Sequence, residues 1–193
     1  MHTCNMAEII LFHHAHGLTV GLGALCDRLR AEGHVVHAPD SYSGATFSRL
    51  DDGIAFAQRI GHDAMEDVAR RAAREHRDAD VVVGFSLGAF PAQLLAQELR
   101  RVRACALMGG AMPPAALRGE WRHGVALQVH AAEPDEWVEE SEIQALIDHA
   151  PHAELFRYPG RRHLFVDPSS ADYDADAADM FEDRLTDWLA RVA

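Results

Sequence analysis

The sequence predicts an α/β fold, a compact, mostly parallel sheet of about six strands flanked by helices on both faces. Three observations carry this. Short apolar runs alternate with longer amphipathic segments along the chain, the pattern of strands exchanging with helices. The short runs are apolar throughout instead of alternating with polar residues, as parallel strands buried on both faces must be. No internal repeat or linker interrupts them, so residues 1–193 read as a single domain.

The elements follow in order. "EIILFH" at 8–13 is the first strand, and "GLGALCDRLRAE" at 21–32 the first helix. "HVVHA" at 34–38 is a short second strand. Residues 40–61 form the longest excursion; Tyr42, Phe47 and Phe56 in it are candidates for one pocket wall or, equally, for a homodimer contact. A helix is expected over 62–77. "DVVVGF" at 80–85 is the third strand and 89–100 the helix after it. "ACALMG" at 104–109 is the fourth strand. Residues 109–124 are too few for a cap domain, so the site should be open. "VALQVH" at 125–130 and "ELFRY" at 154–158 are the last two strands, with a helix at 139–149 between them. Ala178, Phe181, Leu185, Trp188, Leu189 and Val192 recur at helical spacing in a closing helix at 174–192.

Composition narrows the functional classes. With 193 residues, 48% of them hydrophobic, the chain can bury a substantial core. The longest apolar run, 7–12, is far short of the ~20 residues of a membrane span. The beginning "MHTCNMAE" lacks the charged and apolar regions of a signal peptide; residues 1–7 read as a flexible N-terminal segment in which Met6 is an alternative start. Cys4, Cys26 and Cys105 are odd in number and without CxxC spacing, which points to reduced thiols in the cytoplasm. A net charge of −12 repels phosphate backbones, so neither nucleic acid nor a membrane is expected as a partner. Thirteen histidines would carry that charge to +1 on full protonation, so a strong change of surface potential is expected between about pH 7 and 5.5.

Ligands of an open parallel sheet bind beyond the carboxyl ends of its strands. Gly84-Phe85-Ser86-Leu87-Gly88 stands there, a G-x-S-x-G between strand and helix. The tight turn strains the serine backbone, and flanking glycines let strand and helix approach. Unpaired N–H groups at the helix start lie beside the hydroxyl. The bland alternative is a Gly-Ser turn without chemistry. A serine hydroxyl needs a base that is oriented by a third group, and in this architecture the order is Ser, acid, His. Among downstream histidines, His123, His130, His149 and His152 fall mostly at the wrong edge, whereas His163 follows the last strand. The acid should follow the strand before, where Asp135 is first choice and Glu133 second.

"LFHHAHGL", "RLRAEGHVVHAPDSY", "GFSLGAF", "HAAEPDEWV", "YPGRRHLF" and "ADYDADAADMFEDRLTDWL" occur in one order from about residue 8 to the C-terminus. Together they resemble the dienelactone hydrolase branch of the α/β-hydrolases. The resemblance implies a compact α/β-hydrolase that opens without an N-terminal antiparallel hairpin. It implies Ser86 as nucleophile, Asp135 as acid and His163 as base, with the backbone N–H groups of Leu87 and Ala15 as oxyanion hole and no cofactor. The name-giving enzymes have cysteine at the Ser86 position, glutamate at His14, and a carboxylate-binding arginine at Asp167. An aspartate there would repel a carboxylate, so a small neutral ester, lactone or thioester is the expected small-molecule partner, cleaved through an acyl-enzyme. The competing class is a catalytically silent α/β-hydrolase fold that only binds.

Other conspicuous residues have weaker readings. "HHAHG" at 13–17 suggests a metal, but His13 and His14 point to opposite faces and no ligand set is completed, so none is expected. His14 and His16 are pocket candidates, together with Phe47; a buried histidine without catalytic duty is an equal reading. Gly21-x-Gly23 only faintly resembles a dinucleotide loop and reads as a helix start. Arg161-Arg162 reads as a solvated loop pair and Cys105 as core.

Overall fold

The computed structural model describes residues 6–117 and 119–192. The Cys4 thiol and most of the expected flexible N-terminal segment lie outside them. Six strands, β1 (Glu8–Phe12), β2 (Val35–His37), β3 (Val81–Phe85), β4 (Ala104–Met108), β5 (Ala126–Glu133) and β6 (Glu154–Pro159), form one sheet. Its order is β2-β1-β3-β4-β5-β6, and every neighbouring pair is parallel. Five helices cover it: α1 (Val20–Ala31), α2 (Leu50–Glu75), α3 (Ala89–Glu98), α4 (Glu140–His149) and α5 (Ala175–Val192). No cap domain is present among the described residues.

Side-chain alternation along each strand divides the core in two. Ile9 and Leu11 of β1 with Val81, Val83 and Phe85 of β3 pack against α1 and α5, which contribute Leu22, Leu25, Phe181 and Trp188. Ile10, Phe12, Val82, Cys105 and Leu107 face α2, α3 and α4, which contribute Ala69, Ala92, Leu95, Ile143 and Leu146. Cys26 and Cys105 are buried free thiols. Within α5 the apolar spacing read from the sequence buries Phe181, Leu185, Trp188 and Leu189.

Two boundaries differ from the sequence expectation by more than two residues. The excursion at 40–61 becomes helical from Leu50, because Asp51 and Asp52 sit in the first turn, where carboxylates favour a helix start. Gly61, at φ +82°, kinks α2 and breaks the phase of its apolar stripe, so periodicity alone reveals only the second half. β5 runs three residues past 130, to Glu133. The expected charge swing also shrinks, because His13, His16, His34 and His130 are buried in surroundings that disfavour their charged form. Burial lowers the pKa of His13, His16 and His34, and that of His130 falls to about 3, helped by nearby Arg184.

Candidate active site

β3 ends at Phe85 and the chain turns directly into a short 3-10 segment, Ser86–Gly88, that runs into α3. Ser86 takes φ +49°, a left-handed conformation that costs a non-glycine residue roughly 1–3 kcal/mol. The surroundings enforce it. A side chain at Gly84 would lie 2.3 Å from the Gly88 carbonyl oxygen, and one at Gly88 would lie 2.3 Å from that of Phe12. Only glycine lets the strand, the turn and the end of β1 approach this closely. The serine is thus pushed to the carboxyl rim, with the first N–H groups of the helical segment beneath it.

Asp135 stands two residues beyond β5 and His163 four beyond β6. The Ser86 hydroxyl donates to His163 Nε2 at 2.6 Å. His163 Nδ1–H donates to Asp135 Oδ2 at 2.8 Å. The other carboxylate oxygen, Oδ1, accepts the Trp137 backbone N–H at 3.0 Å, so the carboxylate is held on both sides. His163 and Asp135 side chains are nearly shut from solvent, 3% and 4% exposed, and low dielectric strengthens such charge-assisted bonds. Glu133, the second choice for the acid, instead ends β5 in register with Pro159 and is exposed. Still paired in the strand, it stops two residues short of Asp135, the position from which a carboxylate meets His163.

The sequence did not single out Gly109, beside whose Cα the His163 ring lies: a Cβ there would stand 3.1 Å from Cε1. Its signal was the Gly-Gly pair immediately after β4, at an eligible rim position. The segment after β1 approaches the serine through the Phe12–Gly88 contact, and Ala15 in it is buried.

A cavity of about 680 Å³ opens beside His163, lined also by Leu50, Trp137, Arg161, Arg162 and Asp172. A smaller one of about 360 Å³ lies under Leu87, walled by Ile54, Ala57 and Met65 of α2. Trp137 is 44% exposed, its ring centroid 6.4 Å from that of His163. Of the loop arginines, Arg162 is solvated, 75% exposed and 3.7 Å from Asp172, whereas Arg161 is less exposed and meets Asp174 at 3.3 Å. Both are therefore partly neutralised at the cavity wall.

The pocket candidates are His14, His16 and Phe47, and His16 lies near enough to His163 and Asp172 for their charges to act on it. Neither cavity is lined by His14, His16 or Phe47. Phe47 packs with Tyr42 and Phe56, at 5.9 and 5.2 Å between ring centroids, because three aromatic rings gain more by burying one another than by facing water. His14 is fully buried and its Nε2–H donates to Asp167 Oδ2 at 2.8 Å. Its Nδ1 accepts the His16 backbone N–H at 3.2 Å. His16 is buried against the His14 ring, centroids 5.3 Å apart.

Asp167 also departs from the expectation that it faces a substrate. It is completely buried, and accepts from His14, from the Thr19 hydroxyl at 2.8 Å and from the Ser169 N–H at 2.8 Å. Burial pushes its carboxyl up, but those hydrogen bonds outweigh it and hold the group below its ordinary value. The same carboxylate explains Gly21, where a Cβ would stand 1.8 Å from Asp167 Oδ1; the glycine serves packing, at the start of α1.

The model of the dienelactone hydrolase family matches residues 3–193. No sequence among curated proteins matches the chain. Solved structures give the same architecture at low identity. A dienelactone hydrolase-like promiscuous phosphotriesterase from metagenomic libraries is 17% identical, with a TM-score of 0.80 over 96% of this chain and 86% of that one. A putative dienelactone hydrolase of Klebsiella pneumoniae subsp. pneumoniae is 22% identical, with a TM-score of 0.72 over 94% and 85%. A monoacylglycerol lipase of Paleococcus ferrophilus is 13% identical, with a TM-score of 0.66 over 96% and 95%.

Proposed function

The chain belongs to the dienelactone hydrolase family and is a hydrolase of ester bonds, and on that premise we propose that Ser86 is its nucleophile and that it cleaves small neutral esters or lactones through an acyl-enzyme. The observation that supports this best is the unbroken relay from the Ser86 hydroxyl through His163 to Asp135, at 2.6 and 2.8 Å. His163 takes the serine proton as the oxygen attacks the carbonyl carbon. Asp135 holds the ring in the Nδ1–H tautomer and stabilises the imidazolium that forms. The Leu87 and Ala15 N–H groups receive the developing oxyanion, each contributing on the order of 3 kcal/mol. His163 then protonates the leaving group, and water repeats the sequence on the acyl-enzyme.

The two cavities divide the substrate. His163 must reach the leaving oxygen, so the leaving group occupies the cavity it lines, against Trp137. The acyl portion, whose carbonyl oxygen is held at Leu87, extends into the apolar cavity beneath that residue. Preference for a neutral substrate rests on the lining: Asp135, Glu136 and Asp172 outnumber Arg161 and Arg162, and both arginines already face aspartates.

A fluorophosphonate probe tests the assignment. Labelling of the folded chain, mapped to Ser86 and lost in Ser86→Ala, is expected. Folded protein that neither labels nor hydrolyses any of a panel of short acyl esters and lactones would make it a silent binding protein.

A further inference from the structure

A second cluster of ligating side chains lies away from the serine. Glu8 opens β1 and His37 ends β2, in register with Ile10. Parallel partners share a face, and residues two apart along a strand do as well, so Glu8, Ile10 and His37 project together. Ile10 packs on Ala69, Ala72 and Ala73, which identifies that face as the one covered by α2. His76 caps the C-terminal end of α2. The connection from there to β3 runs against Glu8, whose carbonyl accepts the Asp80 N–H at 3.0 Å. Three separate elements thereby bring two imidazoles and one carboxylate to the edge of the sheet.

We propose that Glu8, His37 and His76 bind a divalent transition-metal ion of the zinc class. Their ligand atoms lie within 4.8 Å of one another, the one such group of three among the described residues. His37 Nε2 is already 2.9 Å from Glu8 Oε1. Ligands on one tetrahedral ion, at ~2.1 Å each, stand about 3.4 Å apart, so the Glu8–His37 pair has to open by about 0.5 Å and the wider separations close by at most about 1.4 Å. The His37 and His76 rings are stacked, centroids 3.5 Å apart and 9° from parallel, so lone pairs lying in the two ring planes cannot meet at one point as the rings stand. To share an ion the rings must turn about their Cβ–Cγ bonds until the lone pairs converge, which is a broad, soft torsion. All three side chains are part-exposed, so they can turn without displacing the core. The ion replaces the proton that His37 and Glu8 share, and water completes its coordination, a two-histidine, one-carboxylate set.

The site does not depend on the proposed esterase reaction. It would tie the three-residue edge strand β2 to β1 and to the end of α2, the helix whose other end supplies Leu50 to the catalytic cavity. A bound ion thus stabilises the folded chain in proportion to its occupancy.

Zinc chloride titrated calorimetrically into the untagged, chelator-stripped full chain at neutral pH tests this. One saturable site is expected, with a zinc-dependent rise in Tm. His37→Gln and His76→Ala should each weaken binding by roughly 10- to 100-fold or more, since losing a ligand costs at least as much as losing a group that orients one. His163→Ala should leave the affinity unchanged. Should His37→Gln fail to fold, His76→Ala decides alone, because it removes a part-exposed ring beyond the end of a helix. No saturable binding, or binding of undiminished affinity in His76→Ala, or binding lost in His163→Ala would overturn the proposal.

Discussion

His163 and His14 each hydrogen-bond an aspartate at 2.8 Å, one following β6 and the other following β1, yet their surroundings differ in two respects. The first is what each ring meets on its far side. His163 presents Nε2 to the Ser86 hydroxyl, whereas His14 presents Nδ1 to the backbone N–H of His16. The second is access. Asp135 and His163 line a cavity of about 680 Å³, while Asp167 is sealed under Thr19, Ser169 and Gly21. In the proposed reaction one pair moves a proton, whereas the other fixes the backbone that carries Ala15 and the start of α1. The lesson is that a histidine–carboxylate pair takes its role from the third partner and from solvent, not from its own geometry.

The sharpest way to break this contrast is to exchange the effects of the two aspartates. Ser86→Ala should lower kcat by about 10⁶-fold, and Asp135→Asn by about 10⁴-fold, both with Tm nearly unchanged. Ester hydrolysis and thermal melts on the same preparations read both quantities. Asp167→Asn should do the reverse. Its amide would turn donors toward His14 and Thr19 or leave them unpaired, at roughly 3–5 kcal/mol, lowering Tm by about 6–20 °C. Its kcat should stay within about tenfold of the parent, because it touches no reacting atom. Equal losses of activity in Asp135→Asn and Asp167→Asn would erase the distinction.

Acid separates buried groups by pH window. Unfolded histidine binds a proton near pH 6.5, but His130, held between Tyr158 and Gln128 at 2.8 and 2.9 Å, resists until about 3. The unfolded state therefore gains protons first, and stability falls as pH drops below 6.5, by about 1.4 kcal/mol per pH unit for this residue. His13, His16 and His34, also lowered by burial, act in the same direction. Asp167, held below 3.8, gives its full contribution above that pH and loses it as pH falls through its folded value. Urea melts between pH 7 and 4 should show the first slope, shallower by about one proton in His130→Gln. A flat profile would contradict it.

The smallest expected effect concerns the open side of the comparison. Trp137→Ala removes an indole wall from the cavity but leaves the backbone N–H that Asp135 accepts. KM should rise by about 3- to 10-fold with kcat unchanged, the signature of lost uniform binding. A fall in kcat alone would place Trp137 in the positioning of the relay instead.

Much of this was legible beforehand. The serine turn, the histidine after the last strand and the order of elements all express local rules: apolar runs, turn glycines, and the ligand position beyond strand ends. The first half of α2 was hidden because Gly61 resets the helical phase. The choice between Asp135 and Glu133 turned on where β5 stops, which propensity places only to within a few residues.

The sequence by itself determined the α/β order, the rim that carries chemistry and the serine and histidine eligible for it, because hydrophobic period and turn chemistry act over a few residues. Only the tertiary structure decided that Asp167 turns inward to His14, 153 residues away in the chain, and that Phe47 joins an aromatic cluster instead of the cavity. Such pairings follow from which side chains packing leaves within reach once water is excluded, and no local pattern encodes that.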